Sequence, residues 1–176
     1  KGLHKEFDGR QILDSLDLEV EKGETMVIMG RSGCGKSVML KLIIGLLEPD
    51  GGNIWIDGKE ITGLTNKEMD VVRKRIGMVF QSGALFDSLT VGENVAFSVS
   101  RHTDMSQEQI AQLVAEKLTL VGLSGIEDVM PVDLSGGMRK RVSLARAISM
   151  DPEIILYDEP TTGLDPVTSE EINRLI

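Results

Sequence analysis

The sequence predicts an α/β fold with a mainly parallel sheet, an antiparallel β part and an inserted α-helical segment, its core made of two separated stretches. Three observations lead there. Short apolar runs bounded by turn residues recur at TMVIMG (25–30), NIWIDG (53–58), IGMVF (76–80) and IILYD (154–158), the pattern of strands. Between the third and the fourth run the apolar spacing becomes helical. Finally, GRSGCGKS, residues 30–37, lies between TMVIM and the apolar stretch VMLKLIIGLL, where a strand would hand over to a helix.

The helical stretch can be justified residue by residue. Ser106 and Gln109 fit a capping box, and Ile110, Leu113, Val114, Leu118 and Val121 then recur along one helical face. A second helix opens at Ser135 and turns Met138, Val142, Ala145 and Ile148 inward. Arg139, Lys140 and Arg146 are left to water or to a ligand, and a solvated helix face is the ordinary reading of three such charges. The expected division is therefore a discontinuous α/β core, residues 1–81 and 151–176, with a helical subdomain at 82–150.

Composition narrows the function. The 176 residues are 41% hydrophobic and 27% charged, the balance of an ordinary globular domain. A net charge of -9 repels phosphate backbones and anionic headgroups, which argues against direct binding to nucleic acid or to a membrane surface. Runs such as LIIGLL, Leu42–Leu47, fall far short of the ~20 residues a membrane-spanning helix needs, and no signal peptide is legible. Any membrane link then requires a partner protein. One cysteine, Cys34, cannot form an internal disulfide, which suits a reducing cytosol.

The seam at residue 30 carries chemistry. Gly30-x-x-x-x-Gly35-Lys36-Ser37 after a strand and before a helix is a phosphate-binding pattern. Glycine lets the backbone take positive φ and approach a ligand closely, so that successive N–H groups face one concavity, and the helix adds its positive end. Lys36 would reach the β- and γ-phosphates, and the Ser37 hydroxyl would complete a magnesium shell. The competing reading is a glycine-rich turn with a surface lysine. In IILYDEP, an apolar strand ends in Asp158 and Glu159, at the sheet edge where open α/β folds bind ligands. Asp158 suits magnesium and Glu159 suits polarising water; an acidic turn capped by Pro160 is the alternative. LSGGM, Leu134–Met138, begins a helix with a serine cap and two glycines, either a second anion site or an ordinary capped start.

In this order, and over essentially the whole chain, these motifs resemble the ATP-binding domains of ABC transporters. The resemblance implies a P-loop NTPase (RecA-like) core and identifies each motif. Phe7 looks like the aromatic that stacks on adenine. Gly30, Arg31, Ser32, Gly33, Cys34, Gly35, Lys36 and Ser37 form the Walker A loop, and Gln81 is the Q-loop glutamine that touches magnesium. Ser135, Gly136 and Gly137 belong to the signature motif that contacts the partner's nucleotide. IILYD resembles the Walker B strand, Asp158 joins Ser37 and Gln81 around magnesium, and Glu159 is the catalytic glutamate, acting with Lys36 and Gln81. Gly163-Leu164-Asp165 is the D-loop. Two departures stand out: Met138 replaces the commoner signature glutamine, and the switch histidine, with the C-terminal part of the fold, is expected beyond Ile176. Neither His4 nor His102 lies beside the right motif.

The resemblance implies ATP hydrolysis with magnesium in a head-to-tail homodimer that drives a transmembrane permease. The permease would dock on the surface after Gln81, leaving the subunit cytoplasmic and peripheral on the inner face of the membrane. The stretch QSGALFDSLTVGENVAF is similar to the ATPases of MCE-type phospholipid transport systems, which adds a phospholipid cargo and an MCE-type lipid-binding component as a further partner. An importer subunit for another small substrate remains an alternative. So does a soluble ABC ATPase acting on DNA or ribosomes, against which the acidic chain without a basic stripe weighs. A non-hydrolysing regulatory domain sits poorly with an intact Glu159.

Overall fold

A computed structural model of the chain describes residues Lys1–Leu175. They divide into two compact units, Lys1–Arg73 and the remainder from Lys74.

In the first unit, β1 (Leu3–Phe7) and β2 (Arg10–Leu16) form an antiparallel hairpin. Helix α1 (Lys36–Ile43) follows the glycine-rich loop. The short strands β3 (Trp55–Ile56) and β4 (Lys59–Glu60) pair antiparallel. They turn through Asp57 and Gly58, both at positive φ, as a two-residue Asp-Gly hairpin requires. Helix α2 (Asn66–Arg73) closes the unit. Its Arg73 donates from Nε to the Ile44 carbonyl and from Nη2 to that of Gly45, each at 3.0 Å. Those are carbonyls at the end of α1 that would otherwise lack an intrahelical donor. Leu13, Met39 and Leu42 are the buried centre of the unit.

TMVIMG departs from expectation and forms no strand: residues 25–30 lie outside the sheets, and Val27 and Met29 are 72% and 90% exposed. An apolar run becomes a strand only through a hydrogen-bonded neighbour, and none of the three two-stranded sheets among the described residues includes it.

The second unit is built on a parallel pair, β5 (Ile76–Val79) with β6 (Ile154–Tyr157), in register from Ile76 opposite Ile154 to Val79 opposite Tyr157. Between them run α3 (Val91–Ala96), α4 (Val99–His102), α5 (Gln107–Leu120), a 3₁₀ turn at Pro131–Asp133, and α6 (Gly136–Ala147); α7 (Pro166–Asn173) follows β6. The Ser106–Gln109 capping box forms as expected, and so does an unforeseen one at Thr90–Glu93 that opens α3. Val114, Leu118 and Val121 are buried as expected, packed with Val91, Val95 and Val142 in one core.

Helix α6 buries Val142 and Ala145 as expected, but its charges do not form a solvated face. Arg139 is exposed, whereas Lys140 is only 8% exposed and Arg146 is half-buried. Both reach loop carbonyls that helical periodicity cannot reveal. Arg146 donates to the carbonyls of Ala84 at 2.7 Å and Gly83 at 2.9 Å. The helix lies hard against β5, since a side chain at Gly77 would meet the Ala147 carbonyl at 2.6 Å. No described helix is long and apolar enough to cross a membrane.

Candidate functional site

The glycine-rich loop belongs to the first unit. Gly33 and Gly35 take φ of +76° and +99°, conformations that side chains resist. Gly35 immediately precedes α1, and its carbonyl accepts the Met39 N–H at 2.9 Å, so the helix starts directly on the loop. The loop closes tightly. A Cβ at Gly30 would lie 2.7 Å from the Cys34 sulfur, and one at Gly35 would meet Leu13 Cδ2 at 2.9 Å and the Ile12 carbonyl at 3.1 Å. Lys36 folds back over the loop, its Nζ donating to the carbonyls of Gly30 at 3.0 Å and Arg31 at 3.2 Å. Ser37 occupies the second helical position. Arg31, Ser32 and Cys34 are exposed. Positive-φ glycines, a helix start and a lysine spanning the loop fit a phosphate cradle. Phe7 ends β1 in the same unit, half-exposed, with Lys5 Nζ 5.2 Å from its ring centroid.

The second unit gathers the other expected residues at the carboxyl ends of its parallel pair. Asp158 continues the ladder, its N–H donating to the Val79 carbonyl at 2.9 Å, and the residue is buried. Gln81 and Glu159, 78 residues apart, meet directly: Gln81 Nε2 donates to Glu159 Oε2 at 2.9 Å. The Thr162 hydroxyl donates to the same oxygen at 3.0 Å. Glu159 has φ +47°, a left-handed backbone that costs a non-glycine residue about 1–3 kcal/mol and persists only where surroundings enforce it.

Lys140, which the sequence alone leaves to water or to a ligand, turns inward. Its Nζ donates to the Gln81 carbonyl at 2.5 Å and to the Glu159 carbonyl at 3.2 Å. Burial pushes its pKa below the ordinary lysine value, while the carboxylates of Glu159 and Asp158 pull it back up. The sequence signal for it is weak, a lysine five residues after the helix cap.

At the start of α6, Ser135 caps the helix, its hydroxyl accepting from the Met138 N–H at 3.2 Å. Gly136 is exposed, but Gly137 is buried, and a side chain there would lie 2.5 Å from Thr168 Cγ2. The second glycine therefore permits close packing of the helix start against α7. Thr168 is itself held by Asp165, whose carboxylate caps α7 and accepts from the Thr168 hydroxyl at 2.6 Å.

Asn94 escaped the sequence reading as well. It is fully buried on α3, accepts from the Phe86 N–H at 2.8 Å and donates to the carbonyls of Phe86, Leu89 and Thr90. It thereby shapes the loop after Gln81, and the Thr90-x-x-Glu93 pattern just before it was the available signal. In that loop Leu85 packs on the core while Phe86 stays 43% exposed, its ring centroid 4.4 Å from that of Phe97.

No cluster of three or more His, Cys, Asp or Glu side chains suited to a metal occurs among the described residues. Of the residues expected around magnesium, Ser37 belongs to the first unit and Gln81 and Asp158 to the second; a single carboxylate such as Asp158 suits an ion that keeps waters and takes phosphate oxygens.

Comparison with known proteins identifies the family. The ABC transporter family matches residues 13–162. The chain is 50% identical over 176 residues to the intermembrane phospholipid transport system ATP-binding protein MlaF of Haemophilus influenzae, covering all of this chain and 67% of that one. It is 48% identical over 176 residues to a probable ribonucleotide transport ATP-binding protein, mkl, of Mycobacterium leprae, covering all of this chain and 51% of that protein. It thus spans between about half and two thirds of the length of these relatives. Among solved structures, a dimeric ATP-binding cassette in a post-hydrolysis state bound to ADP and Pi superposes with a TM-score of 0.91 at 36% identity, over 99% of this chain and 79% of that one. With the family model matched over most of the chain and the P-loop NTPase fold shared over nearly all of it, the chain belongs to the ABC transporter family, as an ATP-binding cassette.

Proposed function

We propose that this chain hydrolyses ATP as the energy-supplying subunit of a membrane transporter, working as a head-to-tail homodimer with a transmembrane permease. The hydrogen bond between Gln81 Nε2 and Glu159 Oε2 carries the reading, because it holds the proposed water-orienting carboxylate beside the Q-loop amide. Residues 1–81 and 151–176 make the ATP-binding core and 82–150 the signature subdomain. Phe7 stacks on the adenine, the loop from Gly30 to Ser37 binds the phosphates, and Lys36 neutralises their charge. Ser135, Gly136 and Gly137 meet the nucleotide held by the partner subunit. Ser37, Gln81 and Asp158 would hold magnesium, which supplies charge neutralisation on the phosphates. Glu159 orients the attacking water and accepts its proton. Positioning and electrostatics dominate phosphoryl transfer, so a chain offering these groups needs no covalent chemistry of its own.

We further propose phospholipid as the cargo, with an MCE-type lipid-binding component as an additional partner. The stretch after Gln81 and the likeness to a phospholipid-transport ATPase support this. The permease docks where Phe86 is exposed, placing the subunit peripherally on the cytoplasmic face of the membrane. The second relative's name points instead to ribonucleotides; the lipids and proteins that co-purify with the full-length subunit from membranes separate the two readings.

The test of the chemistry is Glu159→Gln in the full-length protein. It should retain ATP binding and lose turnover by ~10²-fold or more, the usual worth of a general base, whereas Lys36→Ala should weaken nucleotide binding itself. A Glu159→Gln protein turning over at the parent rate would remove the assignment.

A further inference from the structure

Lys140 stands out because its long side chain does not behave as lysines on amphipathic helices do. Such side chains lay their methylenes on apolar surface and carry the ammonium to water. Here the residue is 8% exposed and the ammonium turns inward, to the carbonyls of Gln81 at 2.5 Å and Glu159 at 3.2 Å. Those two peptides lie just beyond the carboxyl ends of β5 and β6. The same two residues are joined a second time by their side chains, Gln81 Nε2 to Glu159 Oε2. The pair is therefore bracketed twice, once through its backbone and once through its functional groups.

The left-handed backbone of Glu159 gives this bracket a purpose. A strained φ survives when neighbours over-determine it, and the Glu159 carbonyl accepts from both Lys140 Nζ and the Thr162 N–H at 3.2 Å. The Thr162 hydroxyl in turn donates to the Glu159 carboxylate at 3.0 Å. Lys140 is the member of this set that comes from another element. It sits on α6, whose cap is Ser135 of LSGGM, and whose far end abuts β5 at Gly77.

We propose that Lys140 is a positioning residue for ATP hydrolysis, tying the Gln81 and Glu159 peptides to the signature helix so that the glutamine amide and the glutamate carboxylate keep their mutual register. The inference rests on the reading of Glu159 as the group that orients water. Lys140 touches no reacting atom; it acts through Glu159 and Gln81, and a movement of α6 at its LSGGM end reaches the carboxylate along one rigid helix.

The experiment uses the full-length protein with Lys140→Met, which keeps the length and apolar stem and removes every donor, and Lys140→Arg, which keeps donors. Steady-state ATPase, nucleotide binding and thermal melting are measured for each, alone and combined with Glu159→Gln. Lys140→Met should lower kcat by roughly 10- to 100-fold, the cost of a misplaced reacting group, with KM for ATP within about 2-fold. Lys140→Arg should recover most of that loss. In the Glu159→Gln background Lys140→Met should change the residual rate less than about 2-fold, since its effect runs through the carboxylate. Parent turnover in Lys140→Met overturns the proposal. So does a loss that multiplies with that of Glu159→Gln, or one confined to melting and KM. If Lys140→Met does not fold, Lys140→Gln takes its place, with a partial kcat loss at unchanged KM expected and parent kcat overturning. Parent turnover in Glu159→Gln alone identifies the failure as that of the underlying reading.

Discussion

Replacing Asn94 by leucine removes a buried amide of similar volume and tests how the loop after Gln81 is held. Asn94 is fully buried, and its carboxamide serves the Phe86 N–H and the carbonyls of Phe86, Leu89 and Thr90. Two of these carbonyls keep another donor, since Leu89 N–H reaches Phe86 at 3.1 Å and Asn94's own N–H reaches Thr90 at 2.9 Å. The Phe86 N–H and the Leu89 carbonyl lose the partner Asn94 gave them. A fully buried unsatisfied polar group costs ~1–3 kcal/mol, and these two groups are only partly buried, so together they should make Asn94→Leu less stable by ~1–3 kcal/mol. On a domain of this size each kcal/mol lowers Tm by roughly 2–4 °C. Urea and thermal unfolding of the full-length protein give the value directly. Asn94→Asp provides the contrast: it keeps the acceptor for Phe86 N–H but turns a carboxylate toward three carbonyl oxygens, and should be no better tolerated. A leucine variant within about 0.5 kcal/mol of the parent, the range of inert surface changes, would refute the argument that Asn94 shapes this loop.

Other outcomes are equally open to measurement. Gly35→Ala places a methyl against Leu13, Ile12 and a backbone carbonyl at φ +99°, so it should lower stability by ~1–3 kcal/mol and weaken ATP binding, both read by melting with and without nucleotide. Phe86→Glu should preserve stability and ATP binding yet reduce recovery of the permease at least 10-fold, as loss of an interface anchor does, whereas Leu85→Glu should destabilise the fold because Leu85 packs on the core. The Asp165 carboxyl is held below its ordinary 3.8 by the Thr168 hydroxyl and then by the Thr168 and Val167 N–H groups. Its contribution is therefore present above pH 3.8 and lost as pH falls through the lower folded value. The stability gap between the parent and Asp165→Asn should narrow in urea titrations run below pH 3.8 relative to those above it.

Features written locally in the chain were legible from sequence. The capping box at Ser106 and Gln109, the apolar face of α5 and the helix start at the end of GRSGCGKS each depend on neighbours within a few positions, and each forms. IGMVF and IILYD read as strands and pair in parallel. TMVIMG carries the same local signal without becoming a strand, because a ladder partner is a property of distant chain. Lys140 failed for a related reason. The two carbonyls that draw it inward lie 59 and 19 residues away, whereas helical spacing registers only neighbours three or four positions off. The glycines of LSGGM suggest either an anion site or an ordinary capped start, and the packing of Gly137 on Thr168 depends on where α7 lands.

The parallel pairing of β5 with β6 also has a consequence for how the protein is made. Gln81 leaves the ribosome 78 residues ahead of Glu159, which at ~5–20 residues per second is a delay of about 4–16 s. During that interval β5 has not received the strand that pairs with it, and an unpaired apolar edge is a template for pairing with other chains. The helices between the two strands, α3 to α6, form from local contacts on far shorter timescales. By the time β6 emerges, α6 can already present its Lys140 to the Gln81 peptide, leaving only the last strand and its glutamate to dock. Codon changes that slow translation before Ile154 would lengthen the exposed interval without altering a single residue of the finished protein.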